Sequence, residues 1–276
     1  MRTVYREKKY VCGEYLDVFI YPVFETGKHS GGKRVKRQPS TEAQKKLNQR
    51  HRKEKMARLL NANFTPDDLE IDLTYRVQPE NDKEAARLVR NWIRCIQRRR
   101  KKLGLPPLKY IVVTEKGKRS GRYHHHVTLS GGIDRDELEK LWVHGYVNSR
   151  RLQFTEEGLA GLANYISKSP VGKKAWMASK SLVDPEPWTR DGRISGRKAR
   201  ELAKNIKDNT QFEKLYPGYL MSSADAFHND VNGGCYLVAR FYRQDGKFIK
   251  PRKKRSTHKA ARQSKTVKKP EIRRRD

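Results

Sequence analysis

The chain has 276 residues, and 63 Lys or Arg against 31 Asp or Glu give it a formal net charge of +32. This length suits one large domain or a domain with appendages. No run of the roughly 18 apolar residues needed for a membrane span occurs, and the charged segment Met1–Tyr10 leads into no apolar core, so we expect neither a span nor a secretory leader. Cys12, Cys95 and Cys235 are too far apart for a metal-ligand motif or a disulfide framework and are typical of reduced cytosolic thiols.

The first predicted elements are strands followed by a polar helix. Residues 10–24 are rich in β-branched and aromatic side chains, which predicts one or two strands. A basic stretch with glycine and serine follows at 27–40. Residues 41–60 predict a helix with little apolar stripe, which we expect to lie on the surface or on a bound partner.

The middle of the chain predicts a strand, a long helix and two further strands. Leu69–Arg76 alternates apolar and polar side chains, which is typical of a half-buried strand. Asn81 or Asp82 can cap a helix that runs to about Lys102. Its predicted apolar stripe is Leu88, Trp92, Cys95 and Ile96. The two further strands are 108–115 and 122–129.

The remaining elements complete an α+β pattern. Asp134 with Glu137 predicts the start of a short helix, and Tyr146–Phe154 a strand. Thr155 is the predicted cap of a helix that runs to about Ser169. Weaker patterns predict a helix at 197–206 and a strand at 235–242. The order of elements favours a central antiparallel sheet of about five strands with packed helices.

Two segments hold most of the positive charge. Lys28–Arg58 contains 12 Lys or Arg and two acids, and Lys250–Asp276 contains 13 and two. Runs of like charge repel and seldom fold alone, so we predict flexible basic arms that order on a polyanion. Nucleic acid is the expected polyanion, because neither arm has the aromatic and leucine face of an interfacial helix.

These patterns divide the chain into three parts. We predict an N-terminal strand region with a basic helical arm at 1–64, a main domain with a C-terminal extension at 65–249, and a disordered basic tail at 250–276.

The most specific segment is Gly121–Leu129, which reads Gly-Arg-Tyr-His-His-His-Val-Thr-Leu. Alternate side chains of a strand share a face, so His124 and His126 point the same way and can bind one ion. His125 points to the opposite face. The alternative is a chance cluster of surface histidines.

A basic turn at 116–121 predicts that the strands on either side form a hairpin. If Glu115 pairs with Arg122, then Glu115 lies diagonal to His124 on the histidine side. A register slip of one residue would move Glu115 to the other face. Two imidazoles and a carboxylate form a three-ligand site with open positions, which suits Mn²⁺ or Mg²⁺ held against a phosphate. Basic side chains that could follow a nucleic-acid backbone here are Lys116, Lys118, Arg119 and Arg122.

The sequence Tyr-x-x-Lys occurs twice, as Tyr165–Lys168 and as Tyr5–Lys8. It is a weak signal alone, because a packed tyrosine beside a solvated lysine gives the same pattern. Tyr165 lies at the edge of a predicted apolar helix stripe, where Lys168 is its neighbour. Tyr5 lies in a charged terminal segment, where order is least expected.

In chain order, three motifs resemble those of the HUH endonuclease family, especially its rolling-circle replication initiators from phages and plasmids. The motifs are Ile71–Tyr75, His124–His126 and Tyr165–Lys168. Glu115 stands where the family often places a third metal ligand, and the resemblance covers about 69–170. One departure is His125, because the family's middle position is normally hydrophobic. The other is that no second tyrosine lies one helical turn from Tyr165.

The resemblance implies a ferredoxin- or RRM-like HUH core and a metal-dependent DNA nicking and joining enzyme. Its substrate would be single-stranded DNA at a replication origin, extended or in a hairpin, and its product a covalent 5′-phosphotyrosine link. Tyr165 and Lys168 would be catalytic, and Mg²⁺ or Mn²⁺ would bind Glu115, His124 and His126. Host helicase and polymerase would be partners in the cytoplasm of a bacterial host, with no role for a membrane.

Two alternatives remain open from the sequence. A relaxase or transposase would use the same chemistry, with Tyr5 as the attacking residue of a relaxase. A nucleic-acid-binding protein without chemistry would keep the basic arms and the sheet and treat the histidines as incidental.

Overall fold

The computed structural model describes residues 4–24, 41–117, 119–167, 175–229 and 233–244. Within these residues, ten strands form two antiparallel five-stranded sheets, with six helices packed on them. The strands are β1 (Val4–Cys12), β2 (Tyr15–Val23), β3 (Leu69–Thr74), β4 (Tyr110–Lys116), β5 (Tyr123–Leu129), β6 (Val147–Arg151), β7 (Met177–Ala178), β8 (Trp188–Asp191), β9 (Tyr219–Asn229) and β10 (Gly234–Arg243). The helices are α1 (Glu42–Asn63), α2 (Asp82–Lys102), α3 (Arg135–Lys140), α4 (Ala160–Ile166), α5 (Gly196–Lys204) and α6 (Asn209–Leu215).

One sheet has the order β6-β3-β5-β4-β7 and is called here the histidine sheet, because β5 carries the three histidines. The other has the order β8-β1-β2-β10-β9 and is called the terminal sheet, because it joins strands from both ends of the chain. The predicted α+β class and antiparallel sheet are confirmed. The second sheet was not predicted, since short edge strands such as β8, exposed at all four residues, carry no alternating pattern.

The N-terminal hairpin is longer than predicted from residues 10–24. β1 begins at Val4 and pairs with β2 along its whole length and with β8 on its other side. It therefore includes the charged residues Arg6–Lys9, whose carboxylate, Glu7, is buried beside Arg193 and Tyr216. Residues 25–40 of the predicted basic arm and the predicted tail, 250–276, lie outside the described residues.

Helix α2 covers one face of the histidine sheet. The side chain of Asn81 accepts hydrogen bonds from the N–H groups of Lys83 and Glu84, both at 3.1 Å, so the predicted cap is confirmed. The predicted stripe was partly wrong, because Leu88 and Cys95 lie only at its margin. The helix residues that enter the core are Ala85, Val89, Trp92, Ile93 and Ile96.

Helix α1 was predicted to be a surface helix, which is wrong for its C-terminal third. Met56, Leu59 and Leu60 are buried against α4 and the strand residues Ile111 and Val113. Its apolar residues are concentrated at one end, so they produce no stripe along the whole helix. This packing holds α4 against the second face of the histidine sheet.

The predicted cap of α4 at Thr155 is also wrong. Thr155 and Gly158 exchange backbone hydrogen bonds in a tight turn, and Gly158 has a φ of 63°, which favours glycine. The helix begins at Ala160, and the side chain of Asn61 accepts the N–H of Leu159 at 2.8 Å. A residue of α1 therefore satisfies the start of α4.

None of the helices in the described part of the chain combines the length and the apolar character that crossing a bilayer requires.

Candidate metal centre and nucleophile

The register of the β4–β5 hairpin brings Glu115 to the histidines. Glu115 is directly opposite His124, and Val113 is opposite His126. The predicted pairing of Glu115 with Arg122 was therefore wrong by two residues, because β4 continues to Lys116. A shift of two residues preserves the face of each side chain, so Glu115 still lies on the histidine side.

Glu115, His124 and His126 form a group that could hold a metal ion, with one ligand atom from each within 4.8 Å of the others. Oε2 of Glu115 lies 3.5 Å from Nε2 of His124 and 3.9 Å from Nε2 of His126. The two imidazole rings are 5.0 Å apart between their centres. The structure thus brings together the three residues that the sequence predicted as ligands.

Asp72 is a site residue that sequence reasoning missed. It pairs with His126 across β3 and β5, and its Oδ1 lies 2.5 Å from Nδ1 of His126. Because an ionised carboxylate only accepts hydrogen bonds, Nδ1 carries the proton and Nε2 is left free to bind a metal. Burial raises the pKa of Asp72, but the hydrogen bond and charge of His126, with Arg150, outweigh it and hold the pKa below its ordinary value.

The signal for Asp72 was present in part. The alternation of Leu69–Arg76 places Asp72 on the polar face of its strand. Only the pairing of β3 with β5, strands separated by about 50 residues, shows that this face is the one that carries His124 and His126.

His125 faces the opposite side of the sheet, as predicted. It is fully buried, with Nε2 2.6 Å from the Tyr75 hydroxyl and Nδ1 2.9 Å from the Thr114 hydroxyl. Burial and the neighbouring imidazoles lower the pKa of His125 to about 3. The departure from a hydrophobic middle residue therefore places a neutral, hydrogen-bonded imidazole in the core under α2.

Tyr165 lies beside the cluster. Its ring centre is 5.1 Å from that of His126, and the residue is 50% exposed. Ala160, Ala163 and Ile166 of the same helix are buried against α1, so packing fixes the side of α4 that faces the sheet. Lys168, the other predicted catalytic residue, lies outside the described residues.

Arg150 is a second residue that the motifs did not include. Its guanidinium donates two hydrogen bonds to Glu70, at 2.9 and 2.8 Å, and lies 3.8 Å from Oδ2 of Asp72. The bond to Glu70 raises the pKa of Arg150, and the negative charge that Tyr165 can carry acts in the same direction. A fixed positive charge therefore lies within electrostatic range of the phenol.

Tyr5, the tyrosine of the other Tyr-x-x-Lys sequence, lies in the terminal sheet. It is 3% exposed, and its hydroxyl accepts the N–H of Cys235 at 3.2 Å. The expectation of low order at Tyr5 is wrong, because β1 is paired on both sides.

The predicted DNA-contacting residues lie at the hairpin turn, next to the cluster. Lys116, Arg119 and Arg122 are exposed, and Lys118 lies outside the described residues. Arg122 donates a hydrogen bond to the carbonyl of Tyr75 at 2.8 Å, which holds the turn against the end of β3.

Comparison with known proteins points to replication. Residues 69–170 match the model of a family described as replication-associated protein, of the ORF2 type. A search of curated proteins and a search of solved structures each found no match. The matched segment includes Asp72, Glu115, the three histidines and Tyr165. It suggests a role in replication initiation and implies binding to DNA at an origin. Residues 69–170 therefore match the ORF2-type family of replication-associated proteins, which is consistent with a rolling-circle replication initiator.

Proposed function

We propose that this chain is a site-specific nickase and strand transferase for single-stranded DNA, which starts rolling-circle replication through a tyrosine-linked intermediate. The observation that carries the proposal is the half-exposed phenol of Tyr165 beside His126, one of three convergent metal-ligand side chains. A nucleophile next to a candidate cation site is the arrangement that phosphoryl transfer requires.

The donor set fits a divalent cation. Glu115 supplies a carboxylate, and His124 and His126 supply imidazole nitrogens, with Asp72 orienting one of them. Three protein ligands leave coordination positions open for phosphate oxygens. When bound, Mg²⁺ or Mn²⁺ would polarise the scissile phosphate and neutralise the charge that develops on it.

Tyr165 performs the attack. A phenol has an ordinary pKa of about 10, so it needs nearby positive charge to react as a phenolate at neutral pH. Arg150 supplies such a charge, and Lys168 has the same role by resemblance. The phenolic oxygen bonds to phosphorus as the bond to the 3′ oxygen breaks. The phenol loses its proton and the 3′ oxygen gains one, which leaves a 5′-phosphotyrosine link and a 3′-hydroxyl.

The open part of the histidine face suits a single strand. Tyr146, Thr74, His124 and Glu115 lie in one row across the sheet, and Tyr146 is 70% exposed. The guanidinium of Arg76 lies 5.5 Å above the Tyr146 ring. An exposed aromatic ring beside basic side chains can stack a base and hold its phosphate, which supports an unpaired substrate.

The test is incubation of the full chain with a scanning set of single-stranded oligonucleotides and Mn²⁺, followed by mass spectrometry of tryptic peptides. We expect one oligonucleotide register to give a 5′-phosphate adduct on Tyr165, and none in the presence of a chelator. Absence of cleavage across the whole set would favour a binding protein without chemistry. An adduct on Tyr5 would favour a relaxase-like enzyme.

A further inference from the structure

The outer face of α2 carries a continuous row of positive charge. Its members are Lys83, Arg87, Arg90, Arg94, Arg98 and Lys101, all exposed, and they are called here the α2 stripe. At 3.6 residues per turn they fall within an arc of about 80° and extend for about 27 Å along the helix. Among the described residues, Arg87 is the only stripe residue with a carboxylate within 4.0 Å, that of Glu84.

The α2 stripe lies on the opposite side of the histidine sheet from the metal-ligand cluster. The buried side of α2 packs on Ile71, Leu73 and Val127, side chains of the face that also carries His125. The stripe points away from that core. A DNA strand that lies along Tyr146 and His124 therefore cannot reach the stripe at the same position, so the stripe constitutes a separate surface.

The spacing of these charges disfavours the isolated helix. Successive stripe residues are three or four positions apart, where like charges are neighbours and repel each other. Helices that are only solvated usually interleave acids at these positions, as α1 does with the pairs Lys45–Glu42 and Arg50–Glu54. An unscreened row of this kind is stabilised when a polyanion supplies the countercharge.

We infer that the α2 stripe binds duplex DNA through its phosphates, as a second DNA site of this chain. A straight helix presents its charges at fixed intervals, which suits the regular backbone of a duplex. The exposed side of α2 has no aromatic residue, since its one aromatic, Trp92, is buried. It therefore lacks the stacking groups that single-strand surfaces combine with basic side chains.

The test compares two variants that lose the same charge. Arg90→Gln/Arg94→Gln/Arg98→Gln removes three charges from the stripe and keeps good helix formers. Arg197→Gln/Arg200→Gln/Lys204→Gln removes three exposed charges from α5, on the terminal sheet, as the control. Binding of a labelled duplex and of a single strand of the same length is measured by fluorescence anisotropy over a series of salt concentrations, with a chelator to prevent nicking.

The stripe variant should bind the duplex about tenfold or more weakly, and its dependence of log K on log salt should flatten by about 0.9 for each phosphate that is no longer neutralised. Single-strand affinity should fall less, and the α5 variant should match the wild type in both. Arg90→Lys/Arg94→Lys/Arg98→Lys should restore duplex binding. Equal losses in the stripe and α5 variants, or equal losses for duplex and single strand, would overturn the inference.

Nicking of single strands with Mn²⁺ is measured on the same proteins at saturating DNA. We expect the stripe variant to nick like the wild type, because the stripe is remote from Tyr165. If the wild type does not nick at all, the proposed function fails, while the duplex measurements still decide whether the stripe is a DNA site.

Discussion

Each of the two sheets has one Tyr-x-x-Lys tyrosine associated with it, and the two tyrosines lie in opposite environments. Tyr5, in the terminal sheet, is buried, and its hydroxyl is occupied by the N–H of Cys235. Tyr165, on the helix beside the histidine sheet, is half exposed and adjacent to His126. The same sequence pattern thus provides a core residue in one sheet and a candidate nucleophile at the other.

The polar groups of the two sheets differ in the same way. In the terminal sheet, the buried carboxylate of Glu7 is enclosed by Arg193 and by the hydroxyl of Tyr216 at 2.7 Å. In the histidine sheet, Glu115 and His124 face a side that α4 covers only in part. A buried, paired group stabilises a fold, whereas partly exposed convergent ligands can exchange partners with a substrate.

The largest effect on nicking is expected at Tyr165. Tyr165→Phe removes the attacking oxygen with little change in packing, so the protein should fold and bind DNA yet form no covalent adduct. Tyr5→Phe should keep the adduct and lose only about 1 kcal/mol of stability with its hydrogen bond. The measurement is a denaturing gel with labelled single-stranded DNA and Mn²⁺. A shifted band that survives Tyr165→Phe and disappears with Tyr5→Phe would reverse the comparison.

The histidines of β5 should separate by face. His124→Ala and His126→Ala should lower the nicking rate at least about a hundredfold and leave DNA binding nearly intact, because the ligand set is incomplete. His125→Ala should retain nicking but lower the free energy of unfolding by about 1–3 kcal/mol, since it leaves the buried Tyr75 hydroxyl without its partner. Single-turnover rates and chemical denaturation measure both effects. Equal loss of nicking in all three folded variants would contradict the assignment of faces.

Asp72→Asn should have a smaller effect, because Asp72 acts through His126. We expect a loss of about 10–100-fold in apparent metal affinity or activity, and partial recovery at high Mn²⁺ concentration. The matched control is Asp191→Asn, which removes a carboxylate bound to Arg6 in the terminal sheet and should leave the Mn²⁺ dependence unchanged. A Mn²⁺ titration of the nicking rate distinguishes the two. An unchanged midpoint for Asp72→Asn would remove Asp72 from the site.

The smallest effect on nicking is expected from Arg193→Ala in the terminal sheet. This change leaves Glu7 buried without its cation, so the free energy of unfolding should fall by about 3 kcal/mol. The nicking rate per folded molecule should stay within about twofold of the wild type, since Arg193 is not among the residues of the candidate site. Thermal unfolding and single-turnover rates are compared at a temperature where both proteins are folded. A large loss of nicking there would show that the two sheets are functionally coupled.

Local features of this protein could be predicted from its amino acids alone. Apolar periodicity and the cap at Asn81 predicted α2, and alternation placed His124 and His126 on one face of β5 with His125 on the other. The order of the motifs from Ile71 to Lys168 indicated the family before any pairing was known. These features follow from the periods of 3.6 and 2.0 residues and from side chains that bond to their own backbone, all of which act over a few neighbouring residues.

Which distant residues meet is a property of the folded chain. Folding moved the hairpin register by two residues, joined Asp72 to His126, and supplied Asn61 of α1 as the hydrogen-bond acceptor at the start of α4. It also distinguished the two tyrosines, because β1 is enclosed by β2 and β8 while α4 lies at the margin of an open face. Strand pairing and helix packing depend on the total burial and hydrogen bonding of segments far apart in the chain, and no local pattern carries that information.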